Sequence, residues 1–144
     1  MSNEESNLRE LVELYAQAVR ARDAETLAGF YVEDVVAFDV VGPLQRRGVK
    51  AVRKRAEEWL AQFQGPLGYE IRDLRLDVAE NQDIAFSSSL HGVDGRTRDG
   101  REVKMWIRVT VGYRKLAGEW RIVHEHVSVP FDAKTMRAAL DLRP

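Results

Sequence analysis

The segment REVKMWIRVTVGYRKLAGEWRIVHEHVSVP, residues 101–130, decides the fold. It contains two long runs rich in β-branched and aromatic residues, which predict strands over Arg101–Lys115 and Glu119–Val129. Only Leu116-Ala117-Gly118 separates the two runs, and a connection this short joins neighbouring antiparallel strands. We therefore predict a long antiparallel hairpin in this part of the chain.

Two further strands are predicted upstream, over Gly68–Ala79 and Ile84–Val93. The tight connection Glu80–Asp83 joins them, and a longer polar connection, Asp94–Gly100, leads to the hairpin. Consecutive strands with short connections pair with one another. The second half of the chain is therefore predicted to form a four-stranded antiparallel meander.

The first half of the chain has a mainly helical pattern. Apolar residues at helical spacing predict a helix over about Glu5–Arg22, and Asp23 is a suitable N-cap for a short second helix. A β-branched run predicts one strand over Val35–Val41. Gly48 begins a third helix, which the turn residues Gly65-Pro66 end.

The segregation of helices from long strands indicates an α+β fold in a single domain, residues 1–144. Long twisted strands curl over the helices that they cover. The predicted shape is a cone, with three N-terminal helices packed on a strongly curved, mainly antiparallel sheet and a small-molecule pocket at the mouth. A short C-terminal helix, capped by Asp132 and continuing through Leu142, completes the prediction.

The composition excludes several classes of protein. The 144 residues include no cysteine, and 22 basic side chains balance 23 acidic ones. Disulfides and thiolate metal sites are therefore excluded, and the charge gives no footprint for nucleic acid or a membrane surface. The chain shows neither a run of roughly 18 apolar residues nor a signal-peptide pattern, so we expect a cytoplasmic location. No metal or redox cofactor is implied.

Asp39 and Tyr15 are the first candidates for chemistry. Asp39 ends an apolar strand, where desolvation raises the pKa of a carboxyl group towards that of a general base unless a cation compensates. Tyr15 lies on the apolar stripe of the first helix, where its hydroxyl needs a partner if it is buried. Two alternatives stay open: a salt bridge from Asp39 to Arg108 or Arg46 with no chemical role, and an ordinary core position for Tyr15.

Alternation along the last two strands groups further polar side chains. One face of the last strand is predicted to carry Trp120, Ile122, His124, His126 and Ser128, and the other Arg121, Val123, Glu125, Val127 and Val129. Arginine and histidine are costly to bury unpaired, so we expect those on a covered face to meet a polar ligand or an internal partner. The expected ligand-binding residues are Trp59, His91, Trp106, Arg108, Thr110, His124, His126 and Ser128. A metal site at the histidine pair is not expected, because no third ligand is well placed.

Two stretches resemble the nuclear transport factor 2-like superfamily, most closely its SnoaL-like and ketosteroid-isomerase-like members. The first is ELYAQAVRARD, residues 13–23, followed by FYVEDV, residues 30–35, and the second is GEWRIVHEHVSVP, residues 118–130. The resemblance covers about residues 8–131. The second stretch is also similar to the association domain of calmodulin-dependent kinase II.

The resemblance implies a curved sheet wrapped on three helices, a pocket, and a homodimer packed through the sheet. It places Tyr15 where ketosteroid isomerases keep an oxyanion-binding tyrosine, and Asp39 where they keep the base that moves the proton. Their second oxyanion donor, a protonated aspartic acid, would fall near Thr110, where this chain has no acid. Fold does not give function in such a family.

Three functions remain open from the sequence. The first is an enzyme that moves a proton on a small carbonyl compound, with Asp39 as base and Tyr15, helped by Arg108 or a histidine, holding the oxyanion. The second is a non-catalytic protein in which Arg108, His124 and His126 bind an acidic ligand. The third is an assembly module that dimerises through the outer face of the sheet.

Overall fold

The computed structural model describes residues 2–144. The helices are α1 (Asn3–Arg20), α2 (Ala24–Ala28) and α3 (Val49–Leu60). The strands are β1 (Tyr31–Phe38), β2 (Arg46–Arg47), β3 (Phe63–Val78), β4 (Ile84–Thr97), β5 (Glu102–Leu116), β6 (Glu119–Ser128), β7 (Phe131–Asp132) and β8 (Arg137–Ala138). Six of these strands form one sheet in the order β2-β1-β6-β5-β4-β3, in which only the β1–β6 pairing is parallel. The α+β prediction, with three helices packed against a mainly antiparallel sheet, is confirmed.

Local signals explain where the helices begin. The Ser2 hydroxyl accepts a hydrogen bond from the Glu5 amide at the start of α1, and the Asp23 carboxylate accepts one from the Thr26 amide at 3.0 Å. Asp23 is therefore the N-cap of α2, as its sequence position predicts. Gly48 precedes α3 with a φ of 87°, a conformation that favours glycine.

The strands are longer than the sequence indicates. Helix α3 ends at Leu60, and Gly65 lies inside β3, where the β3–β4 register shifts between Gln64 and Gly68. Gly65 has a φ of 75°, so the turn signal at this position marks a bulge within a strand. The polar connection predicted over Asp94–Gly100 is also mostly strand, since β4 continues to Thr97.

The predicted C-terminal helix is wrong. The segment after Pro130 forms the small hairpin of β7 and β8. The Asp132 side chain accepts a hydrogen bond from the Lys134 amide at 2.9 Å, and the backbone of Met136 donates back to the Asp132 carbonyl at 2.8 Å with a φ of 60° at Met136. An aspartate that bonds the amide two residues ahead stabilises a turn as well as it caps a helix, and here the turn prevails.

The sheet has two faces, which we call inner and outer. The inner face packs against α1 and carries the buried residues of the central strands, which are Ala85, Ser87, Ser89, His91, Val93, Val109, Val111 and Tyr113. The outer face carries the residues that alternate with them. The odd-numbered positions of β4 and β5 therefore point towards the helices.

A β-bulge in β6 decides which of its residues reach the inner face. Gly112 pairs with His124, whereas its neighbour Tyr113 pairs with Ile122, so Val123 is an extra residue in β6. Each inserted residue reverses the alternation that follows it. Ile122 on one side of the bulge and Glu125 on the other are consequently both buried, at 2% and 9% exposure.

Candidate functional site

A cavity of about 550 Å³ lies between the inner face and the helices. Its walls are mainly apolar, with Trp59 from α3, Phe63 from β3, Ile107 from β5 and Leu140 from the C-terminal segment. Trp59 packs edge-on against Phe63, with ring centroids 5.3 Å apart. A mostly apolar cavity with a few convergent polar groups is the usual form of a small-molecule site.

The polar groups at the inner end of this cavity are Tyr15, Tyr31 and Glu125. The Tyr31 hydroxyl donates to Oε2 of Glu125 at 2.5 Å, and the Tyr15 hydroxyl lies 3.4 Å from Oε1 and 3.4 Å from the Tyr31 hydroxyl. All three side chains line the cavity. The first helix, β1 and β6 thus each supply one member of this cluster, which we call the inner cluster.

Burial sets the acid–base behaviour of the inner cluster. Desolvation raises the pKa of Glu125 above its ordinary value, an effect that the Tyr31 hydrogen bond opposes and the charge of Asp39 reinforces. Burial and the nearby carboxylate also raise the pKa of both tyrosines well above the usual range. A raised pKa makes a carboxyl group a better proton acceptor than an ordinary ionised glutamate.

Asp39 lies just after β1 and lines the same cavity, but in different surroundings. Its Oδ2 atom forms ion pairs with Arg55 at 2.8 Å and Arg46 at 3.2 Å, and its Oδ1 atom accepts a hydrogen bond from the Val40 amide at 2.7 Å. The side chain is 22% exposed. Two cations therefore accompany the Asp39 carboxylate. One of them is Arg46, so the salt bridge between Asp39 and Arg46 that the sequence left open is present.

A second chain of hydrogen bonds runs behind the inner cluster. The Tyr69 hydroxyl bonds Nδ1 of His91, and the Ser89 hydroxyl lies 3.0 Å from Nε2 of the same ring. His91 is 5% exposed, and desolvation lowers its pKa to about 4. The imidazole is therefore neutral at physiological pH, with one nitrogen protonated and the other a hydrogen-bond acceptor.

A small inner chamber of about 20 Å³ lies between the inner cluster and the hydrogen-bonded pair Ser89 and His91. Half of its lining is aliphatic, and the polar half consists of Tyr15, Ser87, Ser89, His91, Tyr113 and Glu125. The Ser87 and Tyr113 hydroxyls bond each other at 2.9 Å, and burial raises the pKa of Tyr113 to about 12. Tyr69 lines the large cavity but not this chamber.

Six of the expected ligand-binding residues lie away from the cavity. The residues that line neither the cavity nor the inner chamber are Trp106, Arg108, Thr110, His124, His126 and Ser128. In β5 the three residues at even positions project from the outer face, opposite to Ile107 and Val109. In β6 the bulge at Val123 reverses the alternation, so the sequence-based assignment of its two faces is wrong beyond Ile122.

Partners within the protein account for several of these outer-face residues. Nδ1 of His124 lies 2.6 Å from the Val36 carbonyl oxygen, and the rings of His124 and His126 pack against Phe38. Nε of Arg108 donates to the Ser128 hydroxyl at 3.1 Å. These polar groups therefore need no ligand to satisfy them.

Trp106 also has a packing role on the outer face. It lies under the Arg72 guanidinium, with 5.1 Å from that group to the centroid of its ring. A Cβ atom at Gly92 would come within 2.8 Å of the same ring. Trp106 is thus a wall of the outer face and not of the cavity.

Tyr15, Asp39 and Trp59 line the cavity, and His91 is buried immediately behind it. Sequence reasoning missed Glu125, which it placed on the opposite face, and Tyr31 and Tyr69, which it did not single out. One signal was available for Glu125: it is the acidic residue in the row Val123, Glu125, Val127. A single acid among apolar neighbours on one predicted face is a sign of a buried functional group.

Comparison with known families identifies the chain. Residues 8–132 match the family model of the SnoaL-like domain. The chain belongs to the SnoaL-like domain family. A crystal structure of an NTF2-like protein of unknown function from Pseudomonas putida KT2440 shares 36% identity with it over 97% of this chain and 96% of that one, with a TM-score of 0.86. The expected membership of the nuclear transport factor 2-like superfamily is thus confirmed.

More distant structures of the same fold carry different descriptions. A proposed scytalone dehydratase from Novosphingobium aromaticivorans has 17% identity, a TM-score of 0.79, and coverage of 95% of this chain and 91% of that one. A ketosteroid isomerase-like protein from Erwinia carotovora atroseptica has 18% identity, a TM-score of 0.74, and coverage of 89% and 97%. At this identity the likeness establishes the SnoaL-like fold alone. A search of curated proteins finds no match to this sequence.

Two further observations concern residues 2–144. In this part of the chain none of the helices is long and apolar enough to cross a membrane. The same residues contain no group of three or more histidine or carboxylate side chains arranged to hold a metal ion.

Proposed function

We propose that this SnoaL-like protein binds a small, mainly apolar carbonyl compound and transfers a proton on it by general acid–base chemistry. The observation that carries the proposal is the inner cluster, in which a buried carboxyl group and two tyrosine hydroxyls face one apolar cavity. A carboxylate can take a proton from the carbon next to a carbonyl group, while a hydroxyl donates a hydrogen bond to the oxygen that becomes negative.

Glu125 is the stronger candidate for the proton-transfer group, and Asp39 is the second. Both line the cavity, but Asp39 is held by ion pairs to two guanidinium groups and by a hydrogen bond from a backbone amide. Glu125 has only hydroxyl partners and is almost fully buried. Burial without a cation favours the protonated form of Glu125, so we take Glu125 as the proton-transfer group and assign to Asp39 the positioning of Arg46 and Arg55 at the cavity.

The test is deuterium exchange at the carbon next to a carbonyl group. A panel of cyclic and aromatic ketones, esters and enones is incubated with the protein in D₂O, and deuterium incorporation is followed by NMR. We expect acceleration for those compounds that the cavity accommodates, and a loss of about 10²-fold or more in Glu125→Gln, the usual scale for a general base. Glu119→Gln, at an exposed position of the same strand, is the matched control.

Binding without catalysis is the alternative that the same assay separates. NMR chemical-shift changes at Trp59 or Tyr15 on addition of a compound would show binding. If no compound then exchanged deuterium faster, the protein would be a binding protein, and the enzymatic proposal would be contradicted. Acceleration that survives in Glu125→Gln but is lost in Asp39→Asn would assign the base to Asp39 instead.

We also propose that the outer face of the sheet forms a homodimer. Its apolar residues Phe86 and Ile84, at the start of β4, are 53% and 49% exposed, and the half-buried Trp106 lies further along the same face. An exposed apolar patch of this kind is typical of a protein interface. Analytical ultracentrifugation should give a dimer for the wild type and a monomer for Phe86→Lys; a wild-type monomer would contradict the proposal.

A further inference from the structure

We propose that Ser89, His91 and Tyr69 form a reversible hydrogen-bond switch between the inner chamber, which holds one water molecule, and the large cavity, where Tyr69 donates to the ligand. The inference deepens the proposed function, because it adds a ligand-facing donor to the inner cluster. It rests on that function only in taking a carbonyl compound as the occupant of the large cavity.

The first step of the argument is a count of hydrogen atoms. The two hydroxyls and the neutral imidazole carry three polar hydrogens in all. Only two hydrogen bonds join these three groups, one on each side of the ring. One hydroxyl hydrogen is therefore left for a partner other than these three side chains. All three side chains are buried, so this hydrogen needs an acceptor.

The second step is that two arrangements satisfy the same geometry. In one, Tyr69 donates to Nδ1, the Nε2 hydrogen is donated to Ser89, and the Ser89 hydrogen is the one left over. In the other, Ser89 donates to Nε2, the Nδ1 hydrogen is donated to Tyr69, and the Tyr69 hydrogen is left over. Conversion moves the ring hydrogen from Nε2 to Nδ1 and reorients the two hydroxyl hydrogens, so the three groups keep three polar hydrogens and their net charge does not change.

The third step is that the two outer members of this hydrogen-bonded row, Ser89 and Tyr69, face different spaces. Ser89 lines the inner chamber, whereas Tyr69 lines the large cavity. The switch therefore offers its spare hydrogen either to the chamber or to a ligand. A ligand oxygen that accepts from Tyr69 selects the second arrangement.

The chamber is suited to one water molecule. Its volume of about 20 Å³ exceeds the roughly 10–15 Å³ that one water needs. Ser89, Glu125 and the Ser87–Tyr113 pair offer it the two to four polar partners that a buried water requires. The water also supplies a further donor to Glu125, which has hydrogen bonds from only two hydroxyls although its two oxygens can accept about four.

The neutrality of His91 is a condition of the switch. The titratable side chains around the ring are Tyr69 on β3, Tyr15 on α1, and Tyr113 and Glu125 across the inner chamber. Desolvation is the dominant influence on the pKa of His91, which lies near 4, so the ring stays neutral above about pH 5. A charged ring would donate from both nitrogens and block the conversion.

The test is the tautomeric state of His91, measured by ¹⁵N NMR on the 144-residue chain without ligand. Long-range ¹H–¹⁵N spectra distinguish the two neutral tautomers, and loss of one signal set in His91→Asn assigns His91 among the three histidines. We expect Tyr69→Phe to hold the hydrogen on Nε2, and Ser89→Ala to hold it on Nδ1. Ser88→Ala, at an exposed outer-face position of the same strand, is the matched control and should leave the wild-type spectrum unchanged.

Opposite shifts in the two variants support the switch, and the same tautomer in both overturns it. Where either variant fails to fold, the wild type alone decides, since both tautomers populated supports the switch and one tautomer overturns it. A crystal structure with an empty inner chamber would overturn the water site. These readouts need no substrate, so they stand apart from the deuterium-exchange assay, which can fail while the switch is confirmed.

Discussion

The two carboxyl groups at the cavity, Glu125 and Asp39, differ in their partners rather than in their chemistry. Glu125 is buried with hydroxyl donors, whereas Asp39 is 22% exposed and paired with Arg46 and Arg55. Burial without a cation favours the protonated form of a carboxyl group, and guanidinium partners favour the ionised form. One cavity can therefore hold a carboxyl group that exchanges protons and another that holds two arginines in place, which is how environment divides roles between like residues.

The largest difference between the two groups should appear in catalysis. We expect Glu125→Gln to reduce the exchange rate by about 10²- to 10⁴-fold, and Asp39→Asn to reduce it by less than about tenfold because Asp39 acts on the position of its arginines. The measurement is deuterium exchange under single-turnover conditions. Equal losses in the two variants would remove the distinction between their roles.

The next difference concerns stability as a function of pH. The pKa of Glu125 is higher in the folded than in the unfolded state, so protonation favours folding; this contribution is complete below the ordinary value near 4.5 and is lost as pH rises through the folded pKa. Each unit of elevation corresponds to about 1.4 kcal/mol. We expect Glu125→Gln, which mimics the protonated form, to gain stability relative to wild type as the pH increases above 4.5.

Urea unfolding between pH 4 and pH 8 measures this difference. A wild type and a Glu125→Gln variant whose unfolding free energies run parallel over the whole range would contradict a raised pKa. The matched control is Glu119→Gln, whose exposed side chain should leave the pH profile unchanged.

Asp39→Asn should change stability in the opposite direction. Loss of the carboxylate leaves two part-buried guanidinium groups without their partner, and we expect a destabilisation of about 1 kcal/mol. Asp34→Asn, at an exposed position of β1, should have no such effect. Thermal unfolding at pH 7 compares the two, and an Asp39→Asn variant as stable as the wild type would show that the ion pairs contribute nothing.

Tyr31→Phe should produce the smallest effect. It removes the shorter hydrogen bond to the Glu125 carboxylate, and a bond to the charged form lowers the pKa of its acceptor. The pKa of Glu125 should therefore rise further in this variant. A ¹³C NMR titration checks the direction, and an unchanged or lower midpoint would mean that the bond does not stabilise the ionised form.

The fold was largely predictable from the sequence, because periodicity and turn residues act locally. The helical stripe through Tyr15, the cap at Asp23 and the tight connection around Gly118 each produce the element expected of them. The error after Pro130 has the same local origin, because Asp132 suits a turn as well as a helix cap.

The site was less predictable, because it depends on a single inserted residue. The bulge at Val123 exchanges the faces of β6, so the histidines that alternation placed inside are outside and Glu125 takes their place. The insertion is fixed by pairing with β5, which is a tertiary contact that a strand's own pattern does not contain. His91 shows the reverse case, since a position near the end of its predicted strand is central in the longer β4.

The most direct test of the account is the pKa of Glu125 in the wild-type protein. A ¹³C-carboxyl NMR titration, with the signal assigned by its absence in Glu125→Gln, gives this value without any ligand. The account predicts a midpoint above the ordinary 4.5 of a glutamate. A midpoint at or below that value would contradict it, since Glu125 would then be an ordinary ionised side chain and the inner end of the cavity would have no group suited to proton transfer.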